Sequence, residues 1–262
     1  MNRTIFLRPL QWIYCLYAVL LFLILMIPVF LWALLVAPLG NIRGGNLIYR
    51  ACVLWGDLWF PLIFIWHRNL YEQPLRKGQS YIFVANHESY FDAAILVKAF
   101  RRPVRPLGKV EMARLPVFGF IYKRVIVTVD RASSGNRARS VQILKTVLRR
   151  GISVLVFPEG TFNTTEEPLA PFYDGAFRIA IETGVPVKPV LFLDAYARMP
   201  HEYLFSLNPG RSRALFLEEV PTEGMTLADV PRLKEQVWQL MADRKRAPGA
   251  GKPQEASVTG NG

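Results

Sequence analysis

From Pro9 to Ile42 the chain carries no charged residue, and from Trp12 to Ala37 it is almost wholly apolar. A helix needs ~20 such residues to cross the hydrocarbon of a bilayer, so this run predicts a membrane element at the start of the fold. A secretory signal has a shorter apolar core followed by a small-residue cleavage site, and this run is too long and too aromatic for one. Pro28 lies inside it, where loss of a helical hydrogen bond predicts a kink. A second apolar stretch, Leu47 to Trp66, carries Arg50 and Asp57 seven residues apart and so on one helical face. Between the two, Pro38-Leu-Gly-Asn-Ile-Arg-Gly-Gly-Asn46 is rich in turn formers. Residues 1–67 are therefore expected to form a two-helix membrane hairpin with both ends on one side. That side holds Arg3, Arg8, Arg68, Arg76 and Lys77 against Arg43 in the turn, so the positive-inside rule places the rest of the chain on the cytoplasmic face.

From about residue 68 the pattern changes to short β-rich runs: Tyr81 to Ala85, Val104 to Leu107, Val125 to Val129, Val154 to Phe157, Val187 to Leu193 and Ala214 to Leu217. Asp92 to Phe100, Arg137 to Arg150, Gly175 to Thr183 and Val230 to Arg244 have helical periodicity. Alternation of this kind predicts an α/β domain over residues 68–245, a mixed and mostly parallel sheet flanked by helices. Residues 246–262 have no apolar period and read as a disordered tail.

Composition narrows the partners. The 32 Lys and Arg against 20 Asp and Glu leave a net charge of +12, which implies nucleic acid, a phospholipid surface or phosphorylated substrates. The hairpin favours lipid, and no aromatic-basic RNA motif is present, so nucleic acid is not expected. The two cysteines, Cys15 and Cys52, lie in the apolar segments and offer neither a disulfide framework nor a zinc site. No P-loop, dinucleotide-binding glycine pattern, Gly-x-Ser-x-Gly elbow or His pair at metal spacing occurs, so no metal or resident cofactor is expected.

Of the three histidines, His67 ends the second apolar stretch, and His201 sits in a loop without an acidic partner at a telling spacing. His87 differs. It follows a strand in the run Asn86-His-Glu-Ser-Tyr-Phe-Asp92, at the carboxyl end where sites gather in open α/β sheets. A tight turn would bring the Asp92 carboxylate to one imidazole nitrogen and leave the other to accept a proton. The spacing equally allows Ser89 to cap the helix with Asp92 as the capping-box acid. Phe157-Pro-Glu-Gly-Thr161 follows another strand, where Gly160 permits close approach of backbone to a ligand and Glu159 either meets a substrate hydroxyl or caps the next segment. Asp130-Arg131 closes a third strand, its guanidinium suited either to a phosphate or to a surface ion pair.

With Val185-Pro-Val-Lys-Pro-Val190, these segments resemble, in order, the four blocks of the glycerolipid acyltransferase family, the 1-acylglycerol-3-phosphate acyltransferases and their relatives. Gly108-Lys-Val-Glu-Met-Ala-Arg-Leu-Pro-Val-Phe-Gly119 is similar to the family's linker between the first two blocks. The resemblance implies direct acyl transfer: His87, oriented by Asp92, deprotonates a lysophospholipid hydroxyl that attacks the thioester of acyl-CoA or acyl carrier protein. It implies acceptor-binding roles for Asn86, Lys109, Arg131, Glu159, Gly160 and Thr161, and an acyl-facing role or core packing for Leu115 to Tyr122.

The chain departs from the family pattern at three places. Phe162 stands where the third block usually ends in Arg, Val125 where a glycine often opens the second, and Tyr173-Asp174 where a basic pair often precedes Gly-Ala-Phe. Each removes positive charge or flexibility near the expected phosphate site, so another lysolipid or an aminolipid is the alternative acceptor. A non-catalytic lipid-binding protein is the alternative from a different class, and an intact His87 and Asp92 disfavours it.

Overall fold

A computed structural model of the chain describes residues 3–129 and 134–247. The first apolar run is one helix, α1 (Arg3–Val36), which continues through Pro9 and Pro28. A 3-10 turn (Ala37–Leu39) and one π-helical turn (Gly40–Gly44) reverse the chain into α2 (Gly45–Leu62). The reversal needs glycine: a Cβ on Gly44 would lie 2.5 Å from the Val36 carbonyl oxygen. Cys15, Ala18, Met26, Val29, Ala33 and Val36 form the buried stripe of α1. Trp59 on α2 donates its indole N–H to the Ala18 carbonyl at 2.9 Å, and Tyr14 donates to the Ile63 carbonyl at 2.6 Å. Trp12, Leu16, Leu20, Leu23, Ile27 and Leu35 remain exposed. The most apolar 18-residue window of this helical region has a mean hydropathy of 3.1 and is only 17% buried, so this surface suits lipid. Asp57 on α2 is ion-paired with Lys98 and Arg101, which removes the penalty of an isolated charge near lipid.

The remaining elements are β1 (Ile65–Tyr71), β2 (Ile82–Ala85), α3 (Asp92–Ala99), β3 (Val104–Lys109), α4 (Phe118–Val125), β4 (Val127–Val129) and α5 (Ser134–Arg149). They continue as β5 (Ser153–Val156), α6 (Gly175–Thr183), β6 (Val187–Phe192), α7 (Ala195–Arg198), β7 (Gly210–Phe216) and α8 (Val230–Arg246). Among the described residues, seven strands form one mixed sheet in the order β1-β7-β6-β2-β5-β3-β4, parallel at every strand pairing but β6 with β7.

The two faces of the sheet have separate cores. Along β2, Phe83 and Ala85 pack with α1, α2, α3 and α4, while Ile82 and Val84 pack with α5, α6 and α8. Successive strand residues point to opposite faces, so a strand buried on both sides reads as continuous apolar sequence, as β2 and β6 do. The hairpin is thus packed into the core of the α/β domain.

Several elements depart from the periodicity reading: β7 starts at Gly210 ahead of the expected Ala214, the short α7 is unexpected, and three others have a readable cause. β1 begins at Ile65, inside the second apolar stretch, so residue 67 lies within a strand; it pairs only with β7 and carries His67, Arg68 and Asn69, which mask its alternation. Val125, expected to open a strand, ends α4, a two-turn helix that runs almost directly into β4, so its β-branched last residue reads as part of the Val-Ile-Val run that follows. β3 extends beyond Leu107 to Lys109 because Leu107, Gly108 and Lys109 pair with β4. Of the expected tail, residues 248–262 lie outside the described residues.

Candidate active site

β2 and β5 are neighbours, with Val84 opposite Val156, and each runs on for three residues to a titratable group, His87 and Glu159. The crossover from β2 passes through α3 on the hairpin face, and that from β5 passes through α6 on the other. Their loops diverge above adjacent strand ends, which opens a crevice there.

His87 occupies this crevice. Its Nδ1 lies 2.8 Å from Asp92 Oδ2, with the carboxylate only 1% exposed and the imidazole 25% exposed. The same oxygen accepts the Glu88 and Ser89 amides at 2.9 and 3.0 Å. Ser89 Oγ accepts the Phe91 amide at 2.9 Å and donates to the Met199 carbonyl at 2.6 Å. Only half of the capping reading holds: Asp92 Oδ2 takes the Ser89 amide and orients the histidine with the same oxygen, while Ser89 Oγ turns to the Phe91 amide and the N-cap of α3 is Phe91. Burial pushes the Asp92 carboxyl above its ordinary range, while the His87 N–H and the Ser89 amide pull it back. With Nδ1 as donor to Asp92, Nε2 is the nitrogen left to accept a proton; it makes no hydrogen bond among the described residues.

The third block holds His87 by its backbone. Glu159 Oε1 accepts the His87 amide at 2.8 Å, Glu159 Oε2 accepts the Ala170 amide at 2.8 Å, and the His87 carbonyl accepts the Asn163 amide at 2.9 Å. Glu159 is 3% exposed, and burial raises its pKa to about 7 against the pull of the two amides. Both oxygens are engaged by main chain, so the structure gives Glu159 a positioning task. Asn86 is a brace of the same kind. Its side chain exchanges two hydrogen bonds with the Phe192 backbone, at 2.7 and 3.3 Å, and ties the end of β2 to the end of β6.

Gly160 takes the left-handed conformation that the sharp turn requires, with φ 72°, and Thr161 beside it is exposed. Lys109 is exposed at the carboxyl end of β3, on the same edge of the sheet. Arg131 lies outside the described residues. Aromatic rings wall the imidazole: Phe157 lies nearly parallel at 4.3 Å and Phe162 at 4.4 Å. Phe162 also contacts Tyr90 at 4.8 Å and His201 at 5.3 Å. His201, whose Nδ1 is 3.2 Å from the Glu88 carbonyl oxygen, is thus a site residue the sequence reading passed over, because its links to the His87 turn, the Glu88 carbonyl and the Phe162 ring, come from distant segments, the first 113 positions away. The catalytic turn has a further partner of this kind in Lys245 of α8, which pairs with Glu88 and donates to the Pro168 carbonyl at 2.7 Å.

Beside this turn lies an apolar cavity of about 570 Å³ between the hairpin and α3 and α4. Phe22 and Met26 of α1, Trp55 and Trp59 of α2, and Phe118 and Ile121 of α4 line it, together with Tyr90 and Phe91 from the turn between His87 and Asp92. The expectation of an acyl-facing surface within Leu115 to Tyr122 thus falls on residues that border a real chamber.

Known proteins resemble this arrangement. The sequence profile of the Acyltransferase family matches residues 67–193. An uncharacterized acyltransferase of Schizosaccharomyces pombe is 31% identical over 176 residues, 65% of this chain and 62% of that protein. The mouse 1-acyl-sn-glycerol-3-phosphate acyltransferase alpha is 29% identical over 218 residues, 80% of this chain and 74% of that one; the human protein is 30% identical over 63% and 58%. The chain thus spans a little under two thirds of the yeast and human relatives. The crystal structure of the 1-acyl-sn-glycerophosphate acyltransferase PlsC of Thermotoga maritima has the same fold, with a TM-score of 0.68 at 21% identity, over 92% of this chain and 95% of that one. With the motif blocks in order on the fold and the profile spanning the histidine turn, this chain is similar in sequence to the glycerolipid acyltransferases and has the fold of one of them.

Proposed function

We propose that the chain transfers a fatty acyl group from a thioester donor, acyl-CoA or acyl carrier protein, to the free hydroxyl of a lysophospholipid. The names of the mouse and human relatives favour 1-acylglycerol 3-phosphate as acceptor, giving phosphatidate in phospholipid biosynthesis. The observation that carries this reading is a carboxylate-oriented imidazole on a turn whose next residues, Tyr90 and Phe91, line an apolar chamber. The chamber's size falls within the ~300–1,000 Å³ of ordinary ligand sites.

In this reaction His87 Nε2 takes the hydroxyl proton as the oxygen attacks the thioester carbonyl, and buried Asp92 stabilises the imidazolium that forms. Collapse of the tetrahedral intermediate breaks the C–S bond, and the proton passes from His87 to the departing thiolate. The lysolipid and donor chains approach from the bilayer, where α1 anchors the protein with its catalytic domain on the cytoplasmic side. Cys15 and Cys52 line the apolar chamber and neither is hydrogen-bonded to His87 among the described residues, so no thiol is paired with the base as an acyl-enzyme route would require.

The test is turnover of the detergent-solubilised protein with a panel of lysolipids and both donor types, followed by mass. His87→Ala should lower the rate by ~10²- to 10⁴-fold, and Asp92→Asn nearly as much, with thermal unfolding little changed. A folded His87→Ala protein that turns over at the wild-type rate removes the reading.

A further inference from the structure

On the edge of the sheet opposite His87, the amino ends of β2, β3 and β5 border a second cavity, of about 430 Å³. Tyr81 and Phe100, both buried, contribute to its floor. Arg76 and Lys77, from the loop after β1, stand at its border with Arg101 and Arg102, from the loop after α3. Among the described residues no Asp or Glu lines it. Two of the four cations are partly neutralised from outside: Arg76 reaches Glu219 at 2.5 Å, and Arg101 forks onto Asp57 of α2 at 2.6 and 2.7 Å. Lys77 and Arg102 make no ion pair or hydrogen bond among the described residues.

Lys77 and Arg102, beside two cations that are only partly neutralised, repel one another around this aromatic-floored cavity, and a bound anion relieves that repulsion. Guanidinium forks favour phosphate, and the aromatic floor suits an organic body attached to it. The position argues which molecule carries the phosphate. Arg101 is tied to Asp57, and the neighbouring Leu54 and Leu58 of α2 are 65% and 56% exposed, so the cavity opens beside the surface that faces lipid. We propose that this cavity is a second phosphate site, separate from the catalytic crevice, occupied by the head group of an anionic phospholipid of the surrounding bilayer.

The test uses the full chain in phosphatidylcholine micelles doped with phosphatidylglycerol, with glycerol 3-phosphate as the water-soluble phosphate ester in a parallel arm. Bound lipid is counted by native mass spectrometry, and affinity is read from the shift in thermal unfolding. Wild type should retain one more phosphatidylglycerol than the double variant Lys77→Ala, Arg102→Ala, bind it at least tenfold more tightly, and lose this preference at high salt. The charge-conserving pair Lys77→Arg, Arg102→Lys should behave as wild type, and acyl transfer in pure phosphatidylcholine micelles should be unchanged by either. Equal phosphatidylglycerol binding by wild type and the alanine pair overturns the site. A glycerol 3-phosphate shift as large as that of the lipid, lost in the same variant, overturns the lipid as its occupant. Neither readout passes through His87, so failure here leaves the acyl-transfer reading standing, and failure there leaves this one.

Discussion

Phe162 lies 4.4 Å from the His87 ring, at the position where the resemblance places an arginine. An aromatic wall offers no charge-assisted hydrogen bond to a dianionic phosphate, which is held best by several cationic donors. Phe162→Arg should therefore raise the preference for lysophosphatidate over lysophospholipids with larger, less charged head groups, read by competition for one donor. An unchanged ratio in a wild type that already prefers lysophosphatidate makes Phe162 a packing residue. Glu159 supports a second prediction. An ordinary glutamate near 4.5 ionises in the unfolded chain before one held at about 7 in the fold, so between these values only the folded chain keeps the proton. The stability this confers, about 3 kcal/mol, is present below about pH 4.5 and lost as pH rises through about 7. Glu159→Gln does not titrate, so its deficit against wild type should shrink between pH 5 and pH 8 in denaturant unfolding. Parallel pH dependences for the two proteins would show that Glu159 is not held in this way.

α1 and α2 differ in what they hold. α1 covers the chamber and presents most of its surface outward, whereas α2 inserts Trp55, Trp59 and Phe60 into the core shared with α3 and the sheet. Deleting residues 1–36 should reduce membrane recovery and open the chamber, broadening acyl-chain selection while leaving the sheet folded. Deleting residues 1–66 also removes α2 and the first two residues of β1, and should yield aggregate. Fractionation with size-exclusion chromatography separates these outcomes, and a monodisperse protein from the longer deletion would refute the shared core. At this scale α6 was legible to the residue, Gly175 to Thr183, because its apolar period is regular and Gly184 ends it in the left-handed conformation. β1 was not, because a polar edge strand is paired by tertiary contact with β7, about 140 residues away.

For the whole molecule, the hairpin and the turn that carries His87 must meet one leaflet together, since residues of both line the same chamber. The basic excess predicts that this leaflet is cytoplasmic. Asn163-Thr-Thr165 supplies a check, because it fits a glycosylation acceptor and Thr164 and Thr165 are exposed. In a microsomal translation system Asn163 should remain unmodified, read as no glycosidase-sensitive shift in mobility. Modification there would place the catalytic domain in the lumen.

The linear chain by itself determined the membrane-facing run, the alternation of strand and helix, and the pairing of His87 with Asp92, because each depends on composition or on residues within a few turns of one another. It could not show that Glu159 and Asn163 hold the His87 backbone, that Asn86 braces β6, or that Lys245 and His201 reach the same turn. Those contacts join segments between 72 and 157 positions apart, and only the order of strands in the sheet decides which segments meet. The same holds for the chamber. Its walls are apolar residues that read equally well as core, and the packing of the hairpin against α3 and α4 is what leaves a cavity between them.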